Sequence, residues 1–163
     1  MIDIDIPTLA VSSVLLLGVI TPFVSYSIKS KKAKKEFLDG FSDFTSQLNL
    51  NIDVQEDWRN RYVLGLDNVK KVLVYYQTGE DKVGQQIELD EVSQAVLHQS
   101  YLINESAAKN KTLDYLALQL HFKDPSRKSL SLEIYRHENY SDLLGETILA
   151  DKWTDLINQS LDR

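Results

Sequence analysis

The chain offers few groups able to do chemistry, and their spacing decides what they could do. Its histidines are His98, His121 and His137. None forms an H-x-H or H-E-x-x-H pair, the spacings that bring two imidazoles to one metal. With no cysteine, thiolate nucleophiles and thiolate metal sites are excluded. No G-x-S-x-G, P-loop or G-x-G-x-x-G is present, and Gly79 and Gly84 read as loop residues. The carboxylate pairs Glu80-Asp81 and Asp90-Glu91 lie in or beside turns. Adjacent residues of an extended chain point to opposite faces, so neither pair converges as acid–base work requires. The expectation is no catalytic residue, no cofactor and no metal, with an unrecognised enzyme as the least favoured reading. The remaining pattern is cationic. Lys29, Lys31, Lys32, Lys34 and Lys35 form a run, and Arg59 and Arg61 follow as possible surface-binding residues. Lysines beside a bilayer act first as a topology signal and can add about 1 kcal/mol each of attraction to anionic headgroups.

The element that positions those lysines is Ile6 to Ile28, which carries no charged residue. As a helix at about 1.5 Å per residue it reaches roughly 34 Å, enough for the ~30 Å hydrocarbon layer. Pro7 suits the first helical turn, and Pro22 should kink the last one. A cleaved signal peptide is disfavoured, because Met1-Ile2-Asp3-Ile4-Asp5 is acidic and no A-x-A site follows. All nearby cations lie on the C-terminal side, so the expected topology has the N-terminus outside and the rest at the inner, cytoplasmic face of the membrane. The lack of cysteine fits a reducing compartment and equally fits many bacterial envelope proteins. Setting aside the five lysines with Asp3 and Asp5 leaves 13 Lys+Arg against 22 Asp+Glu, a net charge of −9. Such an acidic body is a poor partner for nucleic acid, which needs clustered cations.

Residues 29–49 read as a basic juxtamembrane segment and a connecting helix. Phe37, Phe41, Phe44 and Leu48 recur on one helical face from Glu36 to Leu48. That face suits packing on the following domain better than a self-association seam. Residues 50–163 read as one soluble domain. Leu48, Leu50, Ile52 and Val54 alternate as a short edge strand, and Gln55-Glu56-Asp57 is a polar break. Period-two segments follow at 61–66, 70–77, 86–91, 93–103, 113–122 and 130–136. Asp67-Asn68, 78–84, 104–112 and Asp124-Pro125-Ser126 are turns or loops. Tyr75 and Tyr76 should divide between core and surface, and Trp58 should serve packing. With no helices between the strands, the pattern is an antiparallel meander. The period then changes. Leu149, Trp153, Leu156, Ile157 and Leu161 form a helical stripe, with Asp151, Lys152, Asp155 and Asn158 opposite and Glu146 and Thr147 at its start. That helix should cap the sheet, with Trp153 filling a gap between strands. The fold class is therefore α+β: an N-terminal transmembrane helix (1–28), then an antiparallel meander capped by a C-terminal helix.

Strands followed by one terminal helix resemble the pleckstrin-homology-like (PH-like) architecture, a bent antiparallel sheet or barrel plugged by a helix. Trp58-Arg59-Asn60-Arg61-Tyr62-Val63-Leu64 resembles, slightly shifted, that family's W-x-x-R-[YW]-[FV]-x-L start of a strand. Val72-Leu73-Val74-Tyr75-Tyr76 resembles its next strand, and Trp153 matches its terminal-helix tryptophan. Phosphoinositide-binding members carry a basic pattern around the first hairpin; here Gln55-Glu56-Asp57 stands there, with only Arg59 and Arg61 after it. The whole chain, including Ala150, Lys152 and Trp153 at the last helix, also resembles small uncharacterised single-pass membrane proteins of Bacteroidota. These resemblances imply a membrane-anchored, non-enzymatic PH-like domain at the inner membrane face that meets a protein or peptide partner, at a free sheet edge or the groove beside the terminal helix. A lipid- or small-ligand-binding domain is the alternative.

Overall fold

The computed structural model describes residues 6–79, 83–103 and 111–161, with side chains of the first helix described at 19, 21 and from 24 onward. One helix, α1 (Ile6–Gln47), opens the chain. Among the described residues seven strands follow: β1 (Val54–Trp58), β2 (Tyr62–Asp67), β3 (Val72–Gln77), β4 (Val83–Glu88), β5 (Val92–Ile103), β6 (Lys111–Phe122) and β7 (Leu130–Arg136). Helix α2 (Glu146–Leu161) closes it. The chain divides into two compact units, Met1–Ser42 and Asp43–Arg163, a division that falls inside α1.

The first unit holds the apolar stretch. Most side chains of the expected membrane span, 6–28, lie outside the described residues, as do Pro7 and Pro22. Among the described residues no helix is long and apolar enough to cross a membrane. The expected span and the connecting segment fall within one helix. Val24, Tyr26 and Ile28 are exposed, and so are all five lysines of the run.

In the second unit the strands form two antiparallel sheets, ordered β1-β2-β3-β4 and β5-β6-β7. The expected single meander is thus corrected. The separator is a three-residue 3-10 turn, Leu89–Glu91, inside what alternation reads as one strand. Leu89 is buried there, so the apolar period runs across the turn without a break. The first strand also moves. Leu48 to Asp53 is not a strand, and β1 takes in the supposed polar break Gln55-Glu56-Asp57. Its charge is tolerated because Glu56 Oε2 accepts hydrogen bonds from Lys152 Nζ at 2.6 Å and Trp153 Nε1 at 3.2 Å.

Tyr75 and Tyr76 are both buried, where one was expected at the surface. Tyr75 lies in the main core and donates its hydroxyl to the Glu133 carbonyl at 2.8 Å. Tyr76, on the opposite face, packs against Phe44, with ring centroids 5.8 Å apart. A Cβ added at Gly84 would sit 2.6 Å from the Phe44 ring, so the bare backbone there admits that ring. Between the sheets lie Leu64, Leu66, Leu73, Leu116, Leu118, Leu120, Leu132 and Ile134, closed by Leu149, Trp153 and Ile157 of α2. Helix α2 packs on β5, β6 and β7.

Asp67, read as a turn residue, ends β2 and is buried. Its carboxylate accepts the amides of Asn51 (2.8 Å), Val69 (3.0 Å) and Lys70 (2.9 Å), fixing the β2–β3 turn. Burial alone would raise its pKa, but those three amides and the Lys70 charge outweigh it and hold the carboxyl below its ordinary value. A depressed carboxyl stabilises fully above its unfolded pKa, and that contribution is lost as pH falls through the folded value. Asp67→Ala should cost about 2–3 kcal/mol at pH 7. The gap from wild type should narrow below about pH 4, as urea melts at both pH values will show.

Candidate functional site

The turn between β1 and β2 is built on two left-handed residues, Arg59 (φ 56°) and Asn60 (φ 50°), and closed by the Arg61 amide on the Trp58 carbonyl at 3.2 Å. Consecutive positive φ values match the right-handed twist of hairpin strands. Asparagine enters that region readily, whereas arginine needs support. Support comes from α2 and the segment before it. Arg59 Nε donates to Glu146 Oε1, while Nη1 donates to Asp142 Oδ1 at 3.1 Å. Its guanidinium also lies 4.4 Å from the centroid of the Tyr140 ring. Only 9% of the Arg59 side chain and 2% of that of Glu146 is exposed. Burial would lower the Arg59 pKa, but the hydrogen bonds it donates to Glu146 and Asp142, and their charges, raise it overall. Glu146 Oε2 also accepts the Leu144 amide, so one carboxylate binds the hairpin tip and the approach to α2 together.

Arg59 is therefore an internal latch and not a free surface cation. Arg61 is half-buried, its guanidinium 5.7 Å from the Tyr62 ring centroid and against Gly79, where a Cβ would lie 2.5 Å from Nη2. The two arginines suggested for surface binding do not converge on a shared open site. The five lysines lie in the other compact unit. Lys32 pairs with Glu36 at 3.8 Å, an exposed helical pair.

Beside the latch runs a groove of about 400 Å³, lined by Glu56 and Trp58 of β1 and by Leu144, Ile148, Leu149 and Lys152 at the start of α2. Its floor is anchored. Trp58 donates Nε1 to the Ile134 carbonyl at 2.9 Å and stacks on Tyr62 at 5.2 Å. Its rim is apolar and uncovered, with Leu144 71% and Ile148 74% exposed. Lys152 and Glu56 pair across it at 2.6 Å. The groove lies beside the terminal helix, a place that the sequence offers, together with a free sheet edge, for docking, but its apolar rim is not foreseen. The available signal was Leu143-Leu144-Gly145 followed by Ile148, apolar residues off the buried stripe.

The other candidate groups stay apart. His98 and Gln99 are exposed on β5, with the His98 ring edge-on to Tyr115 at 6.0 Å. His121 is half-buried on β6, and His137 Nδ1 lies 3.4 Å from the Tyr135 hydroxyl. Among the described residues no three metal-ligating side chains gather. Glu80 and Asp81 lie outside the described residues. Asp90 pairs with Lys71 at 3.6 Å, and Glu91 with Arg127, so each carboxylate has its own cation. Burial pushes the Tyr62 and Tyr75 hydroxyls well above the ordinary phenol value, which keeps them protonated donors. What the arrangement offers is an anchored apolar groove with a polar pair at its mouth. No family model, curated protein or solved structure matches the chain.

Proposed function

We propose that the chain is a membrane-tethered, non-enzymatic interaction domain of PH-like architecture that presents the groove beside α2 to a protein or peptide partner at the inner membrane face. The observation carrying this reading is the pair Leu144 and Ile148, exposed at the rim of a groove whose floor is fixed by Trp58. Exposed apolar side chains ringed by polar ones are the usual mark of a docking surface. Antiparallel strands followed by one terminal helix agree with the resemblance to the PH-like architecture, which supports the architectural part. The lipid alternative loses support because Arg59 is held by Glu146 and Asp142.

The tether rests on the uncharged stretch Ile6 to Ile28 and on how the cations follow it. At about 100° per residue, the lysines from 29 to 35 fall all round α1 and not on one face. Exposed Val19, Val24, Tyr26 and Ile28 do the same just before them. An in-plane amphipathic helix separates apolar and charged residues by face. Here the change is along the axis, which favours a helix meeting the headgroup layer end-on. The absence of cysteine makes a direct test possible. In intact cells Ile4→Cys should react with an impermeant thiol reagent and Ser160→Cys should not; the reverse labelling refutes the topology. For the groove, a partner bound by wild type should be lost by at least ~10-fold with Ile148→Asp, since a charge would replace an apolar rim contact. Equal retention by both would overturn the docking role.

A further inference from the structure

The groove beside α2 does not end at Lys152. A second cavity, about 440 Å³, continues it between β1 and α2, lined by Val54, Lys152, Asp155, Leu156 and Gln159. One face of α2 forms most of the helical wall. Ile148, Lys152, Asp155 and Gln159 recur at intervals of four, three and four, beside the buried stripe of Leu149, Trp153 and Ile157. The opposite wall is β1, whose Val54, Glu56 and Trp58 alternate onto one side of the strand. The seam runs from an exposed apolar end, at Leu144 and Ile148, to a polar end at Asp155. At about 1.5 Å per helical residue, Asp155 lies roughly 10 Å along α2 from Ile148.

Charge along this seam is one-sided. Among the described residues four carboxylates line the two cavities, Glu56, Asp57, Glu146 and Asp155, against two cations, Arg59 and Lys152, a net −2. Both cations are already engaged within the chain. Arg59 is held by Glu146 and Asp142, and Lys152 by Glu56. Asp155 is exposed, and among the described residues no cation pairs with it. The residues beyond the lysine run carry −9 together, so the wider field has the same sign. An anionic lipid surface, a nucleic acid or a second copy of this seam would each bring like charge to it. A cationic segment brings the opposite.

We infer, on the basis of the docking role proposed above, that the partner of this seam is a protein segment both basic and apolar. One apolar side chain enters between Leu144 and Ile148, onto Trp58. A lysine or arginine of the same segment meets Asp155. In an extended segment the two residues stand about two to four positions apart, since each advances about 3.3 Å and a long cationic stem spans the remainder. The apolar contact supplies affinity. The carboxylates choose the partner, because like charge across an interface rejects the wrong one.

The test uses the full-length chain, immobilised in mild detergent, and a phage-displayed library of short random peptides. Selected sequences should pair an apolar or aromatic residue with Lys or Arg at that spacing and should be depleted of Asp and Glu. For a synthetic peptide of the most enriched sequence, Ile148→Gln and Asp155→Lys should each raise the dissociation constant at least ~10-fold. Glu88→Lys makes the same charge change on exposed β4, at the far edge of the sheet from β1, and should alter it less than ~2-fold. Added salt should weaken binding to wild type more than binding to Asp155→Lys. Acidic or uncharged peptides that still need Ile148 would overturn the cationic partner and leave the docking groove standing. Peptides indifferent to Ile148→Gln, or none selected, would overturn the groove and this partner together. Equal losses for Asp155→Lys and Glu88→Lys would overturn the contact at Asp155, leaving only diffuse attraction to the acidic domain. A wild-type dimer in sedimentation equilibrium that Ile148→Gln dissolves would make a second copy the occupant and overturn the basic segment.

Discussion

Trp153→Ala should reduce the stability of the strand-built unit by about 3–5 kcal/mol, the range for truncating a buried aromatic. Trp153 is completely buried, one of the large side chains in the cluster between sheets and helix. Its loss removes the transfer energy of an indole and leaves a cavity that β5, β6 and β7, packed under α2, cannot readily close. It also withdraws the Nε1 donor from Glu56, which keeps Lys152 as a partner. For a unit of this size the thermal midpoint should fall by about 10–20 °C. Trp153→Phe keeps most of the ring and loses the hydrogen bond, so about 1–2 kcal/mol is expected. Thermal and urea melts followed by circular dichroism will separate these values. A loss below about 1 kcal/mol for the alanine variant would mean that α2 does not close the core.

The buried stripe of α2 was legible in the sequence because its period changes from two to 3.6, and Leu149, Trp153 and Ile157 are buried as that stripe requires. Strand β7 begins and ends where alternation places it, with Leu132 and Ile134 buried as that alternation requires. Alternation failed where a polar residue serves another element. Glu56 and Asp57 hid β1 because the groups that satisfy Glu56 lie on α2, almost a hundred residues along the chain. Asn158 was assigned to the solvent face, yet it is half-buried and completes the edge of β5. Tyr76 was missed for a related reason. Both faces of β3 are covered, and a two-sided strand carries no alternation from which to choose an inner face. The groove beside α2 was legible in place but not in lining: its walls come from β1 and α2, and only the α2 side, Leu144 and Ile148, leaves a local signal.

The latch at the groove's end yields the second large effect. Glu146→Ala should destabilise by about 3 kcal/mol, because it strands a cation that is nine-tenths covered. The figure sits at the low end of the range for broken buried pairs, since Asp142, itself 62% exposed, still holds Arg59. Arg59→Ala should cost a similar amount by leaving Glu146 charged and covered. It also puts alanine at φ 56° without the contacts that support it there. The double variant should lose less than the sum, with a coupling of about 1.5–3 kcal/mol in urea melts. Arg59→Lys should not rescue, because an ammonium cannot present the planar fork that reaches Glu146 and Asp142 together and stacks on Tyr140. Rescue by lysine would instead mean that charge alone suffices and that the fork geometry is incidental. Additive single losses would show that the two side chains act separately. The left-handed turn would then stand by its own backbone, and the position of Leu144 at the groove rim would not depend on the hairpin.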